Sequence, residues 1–552
     1  MDPHVDLRGP RLAREPRTVR GRHRLTLALP AAFLGLFFLW PVASLVWRGL
    51  SGGGYAAETV LSADRAWSAI GTTLGLATAG TALSLALGLP AAWALFHLRW
   101  RGQATVRALV SVAFVLPTIV VAAAFSALLR PSGLLGFLGA DQSIGAIIAA
   151  LAFFNVAVVA RVVGGTWGGL DPEAAIAART LGANRSQVWR HVTLPALTPA
   201  ITSAAAIVFL FCSTSFGIVL VLGGTRINTV ETEIWLQVNQ FLDLRAAAAL
   251  ALVQLAIVGL TLVVAGKARR GRGAARGRLD GSRPLTRRDL PLAFAALAPT
   301  ALLLGLPAWS LLERSLRTAK GWGVDHYVAL ATASSPGALS APMWSAALHS
   351  LSAAVIAAAI ALGLGLIVAS ALGRSRRAGW IDSVAMLPLG VSAVVVGLGL
   401  LLTLYRPLPG GLSLAHPGIL VPAAQAVVAL PLVVRSLAPT VRSVDPRLRH
   451  AAATLGAGPA RVWREVDWPA LRRPAGLALG LAFAVSLGEF GATAFVARPD
   501  YPTLPTAIFR LLSRPGLDNV GMAFAASVLL ATVAGLAMLA AERLRVPGEA
   551  DL

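Results

Sequence analysis

The sequence predicts an all-α integral membrane protein with about twelve transmembrane helices arranged as two parallel six-helix repeats. Three observations carry that expectation: a greasy, charge-poor composition, long apolar runs set between clusters of arginine, and one polar stretch that occurs twice. Of 552 residues, 56% are hydrophobic and only 13% charged, against about 25% charged in soluble domains. The net charge of +23 suits a nucleic-acid binder only where the basic residues share a soluble face. Here they fall in short clusters between apolar runs, which points to membrane lipid as the surrounding partner and away from nucleic acid. The single cysteine, Cys212, lies inside an apolar run, so an intrachain disulfide is excluded and a small-hydrophobe role is expected.

A spanning helix takes about 20 apolar residues. In the first half, such runs lie at 25–47, 67–97, 108–129, 142–160, 198–224 and 246–266. In the second they lie at 290–312, 345–373, 383–405, 416–434, 474–497 and 519–541. The run 326–373 is too long for one helix, so part of it must lie outside the bilayer. Span 1 is longer than the about 7–15-residue core of a cleavable signal and lacks a small-residue cleavage site, so it reads as a retained helix. Lys and Arg gather on the cytoplasmic side. Arg8 to Arg24, Arg99, Arg101, Arg107, Arg374, Arg376 and Arg377 all fall on one side if both termini are cytoplasmic. The opposite loops hold Glu58, Asp141, Glu231, Glu233 and Asp500. The expected organisation is a basic cytoplasmic arm at 1–24, a six-span unit at 25–266 and a cytoplasmic Arg/Gly-rich linker at 267–289. A second six-span unit follows at 290–541, then a cytoplasmic tail at 542–552.

The polar stretch reads LDPEAAIAARTLGANRSQVWRHVTLPAL at 170–197 and VDPRLRHAAATLGAGPARVWREVDWPAL at 444–471. At a constant shift of 274 the two agree at 15 of 28 positions. The same shift carries Arg161 onto Arg435, Phe209 onto Phe483, Phe216-Gly217 onto Phe490-Gly491, and Thr229, Thr232 and Ile234 onto Thr503, Thr506 and Ile508. SVAFVLP at 111–117 resembles SVAMLP at 383–388. Chance likeness between apolar chains does not place Asp-Pro, Leu-Gly-Ala, Val-Trp-Arg and Pro-Ala-Leu in one register. Six spans per copy send both copies into the membrane the same way, so an axis along the membrane normal relates them.

Both stretches fall between spans on the cytoplasmic side. Asp171 is a fit N-cap, Pro172 suits the first helical position, and Glu173 complements the helix dipole. Gly182 can take the left-handed conformation that stops a helix. A short helix over 172–181 follows, and the second copy repeats it with Asp445, Pro446 and Gly456. Ala177, Ala178 and Leu181, with Ala451, Ala452 and Leu455, give each helix a face that another surface can approach closely. A helix of this kind can simply pack on its own loops. Two copies at matching positions instead suggest a partner of matching twofold symmetry.

The pattern AA-x-T-L-G-A, then a dozen residues and L-P or W-P, resembles the EAA loop of binding-protein-dependent ABC importer permeases. The likeness covers both halves, and the fused two-unit length is most similar to the iron(III) and thiamine importers. FLFCSTSFGIVLVLGGTRINTVETEIW and AVSLGEFGATAFVARPDYPTLPTAIF, each following its loop, strengthen it. The resemblance implies a type I ABC importer permease fold and a cytoplasmic (inner) cell membrane location. It implies two copies of an ABC ATPase subunit as partners, an extracytoplasmic solute-binding protein, and coupling helices that dock through Asp171, Pro172, Glu173, Ala177, Ala178, Leu181, Gly182 and Ala183 and through Asp445, Pro446, His450, Ala451, Ala452, Leu455, Gly456 and Ala457. The chain departs from the family where a Glu normally lies six residues before the Gly: Ile176 and His450 stand there. The letters EAA at 173–175 come three residues early, and Arg447 occupies the place of Glu173 in the second copy.

A phosphate-binding loop needs Gly-Lys-Ser/Thr. The two lysines, Lys267 and Lys320, are followed by Ala and Gly, so no cofactor is expected in this chain, and ATP with Mg falls to the partner ATPase. No H-E-x-x-H pair or ligand cluster suggests a metal, and no catalytic set is found. Intramembrane ionisable residues are costly and mark functional positions. Glu489 is the clearest, about 24 Å in from Arg473 at about 1.5 Å per residue. An acid there can meet an arriving cation, or can pair between helices. Its positional equivalent is the neutral Ser215; Asn155, Gln254 and Gln425 are weaker candidates. The competing class is a single-chain secondary transporter, which also carries six plus six spans but has no use for two ordered docking loops and usually needs more intramembrane charge.

Overall fold

The computed structural model describes residues 27–51, 64–224, 226–270, 282–319, 321–332, 342–372, 378–407, 411 and 413–544. The expected arm at 1–24, residues 271–281 of the linker and residues 545–552 of the tail lie outside the described residues. Twelve apolar segments appear where the sequence puts them. In the first half these are Leu27–Ser51, Asp64–His97, the pair Gln103–Val115 and Thr118–Leu129, Ile144–Gly168, Arg185–Ser213 and Leu244–Gly266. The second half supplies Arg287–Leu316, Met343–Leu372, the pair Gly379–Gly390 and Ala393–Leu404, Pro417–Ser443, Pro459–Gly488 and Leu517–Glu542. They are called spans 1 to 12. The long run 326–373 divides as expected, into a short helix Asp325–Thr332 and span 8.

Four spans differ from straight rods, and prolines and small residues explain where. Spans 3 and 9 are bent by 102° and 91°. Leu116 turns extended ahead of Pro117, as the residue before a proline prefers. In span 9 a 3₁₀ turn, Leu387–Gly390, carries Pro388, and Ser392 caps the next helix by accepting from Val395 N–H at 3.2 Å. Spans 5 and 11 end at Ser213 and Gly488, earlier than their apolar runs, and short helices Phe216–Leu222 and Thr493–Val496 follow. Glu489 therefore lies just past a helix end, at a break.

The repeat is visible in hydrogen bonds. After the breaks, Thr229 and Thr503 each cap a helix, Val230–Asn239 and Leu504–Leu512, through reciprocal bonds with Thr232 and Thr506. Val230 N–H donates to Thr73 Oγ1 at 3.0 Å, and Leu504 N–H donates to Ser350 Oγ at 2.7 Å. Spans 4 and 10, 67% and 78% buried, are the centres of their halves, whereas spans 1 and 7 are peripheral. Each peripheral span crosses over. Leu34 and Phe38 of span 1 pack with Leu400 and Leu404 of span 9, and Leu303, Leu304 and Leu306 of span 7 pack on the first-half core. The end of the linker is tied down too: Arg283–Pro284 pairs in parallel with Leu98–Arg99, and Arg283 grips Asp289 at 2.7 Å.

Candidate functional site

At one end of the bundle, called the loop face, the two polar stretches fold alike. Pro172–Thr180 and Pro446–Thr454 are the short helices. Asp171 Oδ1 accepts from Glu173 N–H and Asp445 Oδ1 from Arg447 N–H, both at 2.8 Å. Each helix ends in the same double-bonded stop. Gly182 N–H reaches Arg179 C=O and Ala183 N–H reaches Ala178 C=O; Gly456 reaches Ala453 and Ala457 reaches Ala452. That stop needs a left-handed residue, and Gly182 and Gly456 have φ of +88° and +83°. Leu181 and Leu455 project just before it, 89% and 88% exposed. Ala177 and Ala451 are exposed, and Ala178 and Ala452 half-buried. Ile176, at the position of the absent Glu, is also exposed, as is His450. A π-turn follows in each copy, Trp189–Thr193 and Trp463–Asp467, leading into spans 5 and 11.

One feature breaks the likeness. Arg449 Nε donates to Asp467 Oδ1 at 2.8 Å, and its guanidinium also donates to Val441 C=O at 3.3 Å. The Asp467 side chain is buried and that of Arg449 is mostly so. The equivalent residues are Ala175, Thr193 and Trp167, and there Trp167 packs on Trp189 at 5.3 Å, whereas Trp463, the equivalent of Trp189, stacks on Trp468 at 5.5 Å. The sequence reading passed over Arg449 and Asp467, although their absence from the first copy was readable at the common shift.

Between the halves, four broken spans converge. A Cβ on Gly217 would meet Thr118 Oγ1 at 2.7 Å, one on Gly488 would meet Pro117, and one on Gly491 would meet Ala393. These glycines let the breaks of spans 5 and 11 sit against those of spans 3 and 9. Phe216 and Phe490, equivalent by the repeat, stack on each other at 5.4 Å and 21°. Trp235 and Phe509, again separated by 274, meet edge-on at 5.7 Å, and Phe490 joins the pairs at 5.7 Å from Phe509. Symmetry-related side chains touch one another only close to the symmetry axis, so this aromatic column marks the pseudo-twofold axis. Phe216 and Phe490 are buried, and Trp235 and Phe509, towards the far face, are half-buried.

Ser215 and Glu489 immediately precede the stacked pair. Glu489 is 8% exposed. Its carboxylate accepts from Ala492 N–H at 2.7 Å, Thr493 N–H at 3.1 Å and Thr493 Oγ1 at 2.6 Å. Those bonds belong to its own turn, and Ser215 takes the same place before Phe216–Leu222 without a side-chain cap. The weaker candidates bond between or within helices: Asn155 Nδ2 to Leu151 C=O and Cys212 Sγ, Gln254 Nε2 to Ser213 C=O at 3.0 Å. Gln425 is buried, its Oε1 without a partner. Glu231 and Glu233, read from sequence as loop acids, are 0% and 2% exposed. They lie on the capped helix Val230–Asn239, packed on spans 2 and 6, with Glu233 paired to Arg65 at 3.2 Å. Acidic letters between apolar runs do not say whether a short helix folds back on the bundle.

A bundle of twelve apolar spans in two like halves, with paired exposed loops and an axial joint, defines a polytopic transport permease. Residues 84–269 match the family described as binding-protein-dependent transport system inner membrane component. The chain is 28% identical over 546 residues to the thiamine transport system permease protein ThiP of Brucella abortus, covering 93% of this chain and 96% of that one. It is 28% identical to ThiP of Escherichia coli over 468 residues, 80% and 83% of the two chains. It is also 38% identical over 196 residues to the molybdenum transport system permease protein ModB of Escherichia coli, covering 33% of this chain and 85% of ModB. The chain belongs to the binding-protein-dependent transport system inner membrane component family, as a fused two-unit ABC importer permease.

Proposed function

We propose that the chain forms the translocation pathway of an ATP-driven importer for a small organic cation of the thiamine class. An extracytoplasmic binding protein delivers the cation, and two copies of a separate ATPase subunit drive transport. ATP and Mg belong to that subunit; this chain transports and does not hydrolyse. The observation that carries the reading is the pair of loop-face helices, capped and stopped alike, each holding out a leucine almost wholly exposed. One exposed leucine alone is ordinary on a protein surface, but the same capped helix and exposed leucine at two equivalent positions suit a twofold partner. The loop face is then cytoplasmic, with both termini, as the arginine distribution requires. Asp171, Pro172, Glu173, Ala177, Ala178, Leu181, Gly182 and Ala183 dock one ATPase. Asp445, Pro446, His450, Ala451, Ala452, Leu455, Gly456 and Ala457 dock the other.

The pathway runs along the axis, past Ser215 and Glu489, and is closed on the far side by the aromatic column. Thiamine is favoured over iron(III) and molybdate by the relatives that match across both halves, and by ring faces on the axis, which attract organic cations. Glu489 adds negative charge beside that column. A single-chain carrier is disfavoured by the family and by the docking loops.

The test is co-purification from detergent, wild type against Gly182→Arg with Gly456→Arg. A Cβ at either glycine meets nothing within 4 Å, so the arginines fit the fold while blocking whatever approaches. Left-handed φ costs a non-glycine residue about 1–2 kcal/mol, too little to unfold the bundle. An ATPase that accompanies the wild type and is lost from the variant is the expected result. Transport in liposomes on an ion gradient alone, with no ATPase bound to either protein, overturns it.

A further inference from the structure

Glu231 sits at the joint between the halves with no bond of hydrogen-bond geometry to its carboxyl. It is 0% exposed, and neither carboxylate oxygen has a hydrogen-bond partner. Gln254 of span 6, also 0% exposed, faces it; its Nε2 is spent on Ser213 C=O, and its Oε1 has no partner. Ser392, the cap at the break of span 9 in the other half, is the second polar group facing the carboxyl. The two carboxylate oxygens and Gln254 Oε1 thus share one dry joint, and among the described groups facing the carboxyl only the Ser392 hydroxyl has a proton to offer.

Among the described residues, no cation is paired with this carboxyl. From span 2 come Asp64 and Arg65, and Arg65 is engaged by Glu233 at 3.2 Å. From span 6 come Asp243 at its cap, bonded to the N–H groups of Arg245 and Ala246, and Arg245 itself. The packed helices Phe216–Leu222 and Ala393–Leu404 carry no titratable side chain. An isolated ionised carboxylate in such a place is very costly, and the group neutralises instead.

We propose that Glu231 is a proton-binding site joining the two halves: neutral while the far face is closed, it donates its O–H to Gln254 Oε1, and it releases the proton to water when that face opens. One proton relieves two of the three unpaired acceptors at once, the hydroxyl oxygen by becoming a donor and the amide oxygen by receiving it. Opening draws Val230–Asn239 away from Ser392 and admits water. The carboxyl then ionises and its O–H proton passes to the far-side solvent.

Burial pushes the Glu231 carboxyl up to about 8, outside the twelve spans on its own short helix. Hydrated, it returns to the usual carboxyl value of about 4.3. The proton binds the closed form more tightly, so its closing effect is complete below the lower value. It fades as pH rises and is gone above about 8. Between those limits the closed-to-open ratio falls about tenfold per pH unit.

The inference rests on the far face opening, so the first measurement reads the proton alone. Full-length wild type and Glu231→Gln are placed in liposomes of phosphatidylethanolamine and phosphatidylglycerol, and the protonated-carboxyl C=O stretch is titrated by infrared difference. A wild-type band with a midpoint of about 8 that the glutamine variant lacks is the expected result. A midpoint in the ordinary carboxyl range overturns it without any variant. A midpoint that moves with sodium or potassium concentration at fixed ionic strength assigns the acceptors to a metal cation and also overturns it.

The second measurement places spin labels at Leu242→Cys and Leu517→Cys, both exposed on the far side, with Cys212→Ser. The label distance should lengthen in wild type as pH rises from about 5 to about 9. In the glutamine variant, whose amide can donate at every pH, it should stay short. If the band titrates but the distance does not, Glu231 holds a proton that is not linked to opening, and the proposal fails at the opening step. Neither readout involves an ATPase, so failure of the importer reading is told apart by the co-purification.

Discussion

The two loop-face helices share a backbone and differ in what clasps them to the bundle. Caps, lengths and left-handed glycines correspond residue for residue. Behind the first helix the small Ala175 leaves the clasp to Trp167 against Trp189. Behind the second, Arg449 threads between Val441 C=O and the Asp467 carboxylate. Duplication kept the exposed surface and changed the support behind it: Trp189 packs on Trp167, whereas its equivalent Trp463 stacks on Trp468 at 5.5 Å and an ion pair is added. The outward chemistry drifted as well: Glu173 stands opposite Arg447, and Ile176 opposite His450. Any partner that approached both loops would therefore meet the same shape twice with different charge.

The largest expected effect breaks the ionic clasp. Arg449→Ala leaves Asp467, only 4% exposed as a side chain, buried without its cation. Removing one partner of a buried pair costs about 3–5 kcal/mol. Backbone amides of 446–457 should exchange with solvent about a hundred- to a thousand-fold faster, and those of 172–183 should not change. Asp467→Asn added to Arg449→Ala should restore much of the loss, because the unpaired charge has gone. If the single and double variants exchange alike, charge is not what holds the second loop.

A middling effect tests the aromatic clasp. Trp189 is 42% exposed, so Trp189→Ala removes a partly buried ring and one ring–ring contact, about 1–2 kcal/mol together. Faster exchange is expected at 172–183 and not at 446–457, the mirror image of the arginine variant. Added salt should leave it unchanged, since no charge is involved. Equal loosening of both loops would mean the halves share one support.

Much of this architecture was legible in the letters. Twelve runs became twelve segments because apolar length is a direct requirement of the bilayer, and Asp-Pro with Gly gave both loop helices because caps and stops are local chemistry. What the letters hid was non-local. Glu231 and Glu233 read as loop acids, since nothing near them in the chain says that Val230–Asn239 folds onto spans 2 and 6. Glu489 read as a lone charge, and three bonds within its own turn occupy it. The axial pairs were half-visible. Phe216 mapped onto Phe490 at the common shift, but only the fold shows that equivalent rings touch, and the same shift from Trp235 to Phe509 went unused.

The smallest effect is the sharpest control on the ionic clasp. Arg461 and Glu465 also form an ion pair in the second loop, at 2.9 Å against 2.8 Å for Arg449 and Asp467. Contact distance and charge are the same; the difference is water, since the Arg461 and Glu465 side chains are 66% and 52% exposed. The first copy has Gln187 and His191 there, with only a His191 ring nitrogen against Gln187 C=O, and its helix is no less regular. Exposed pairs gain little because solvent and salt screen them and two long side chains must be held still. Glu465→Gln should therefore leave exchange at 446–457 and thermal stability unchanged within error, in low salt and in high. A loosening comparable to that of Arg449→Ala would show that charge count, rather than burial, holds the second loop, and the contrast between the two clasps would fall with it.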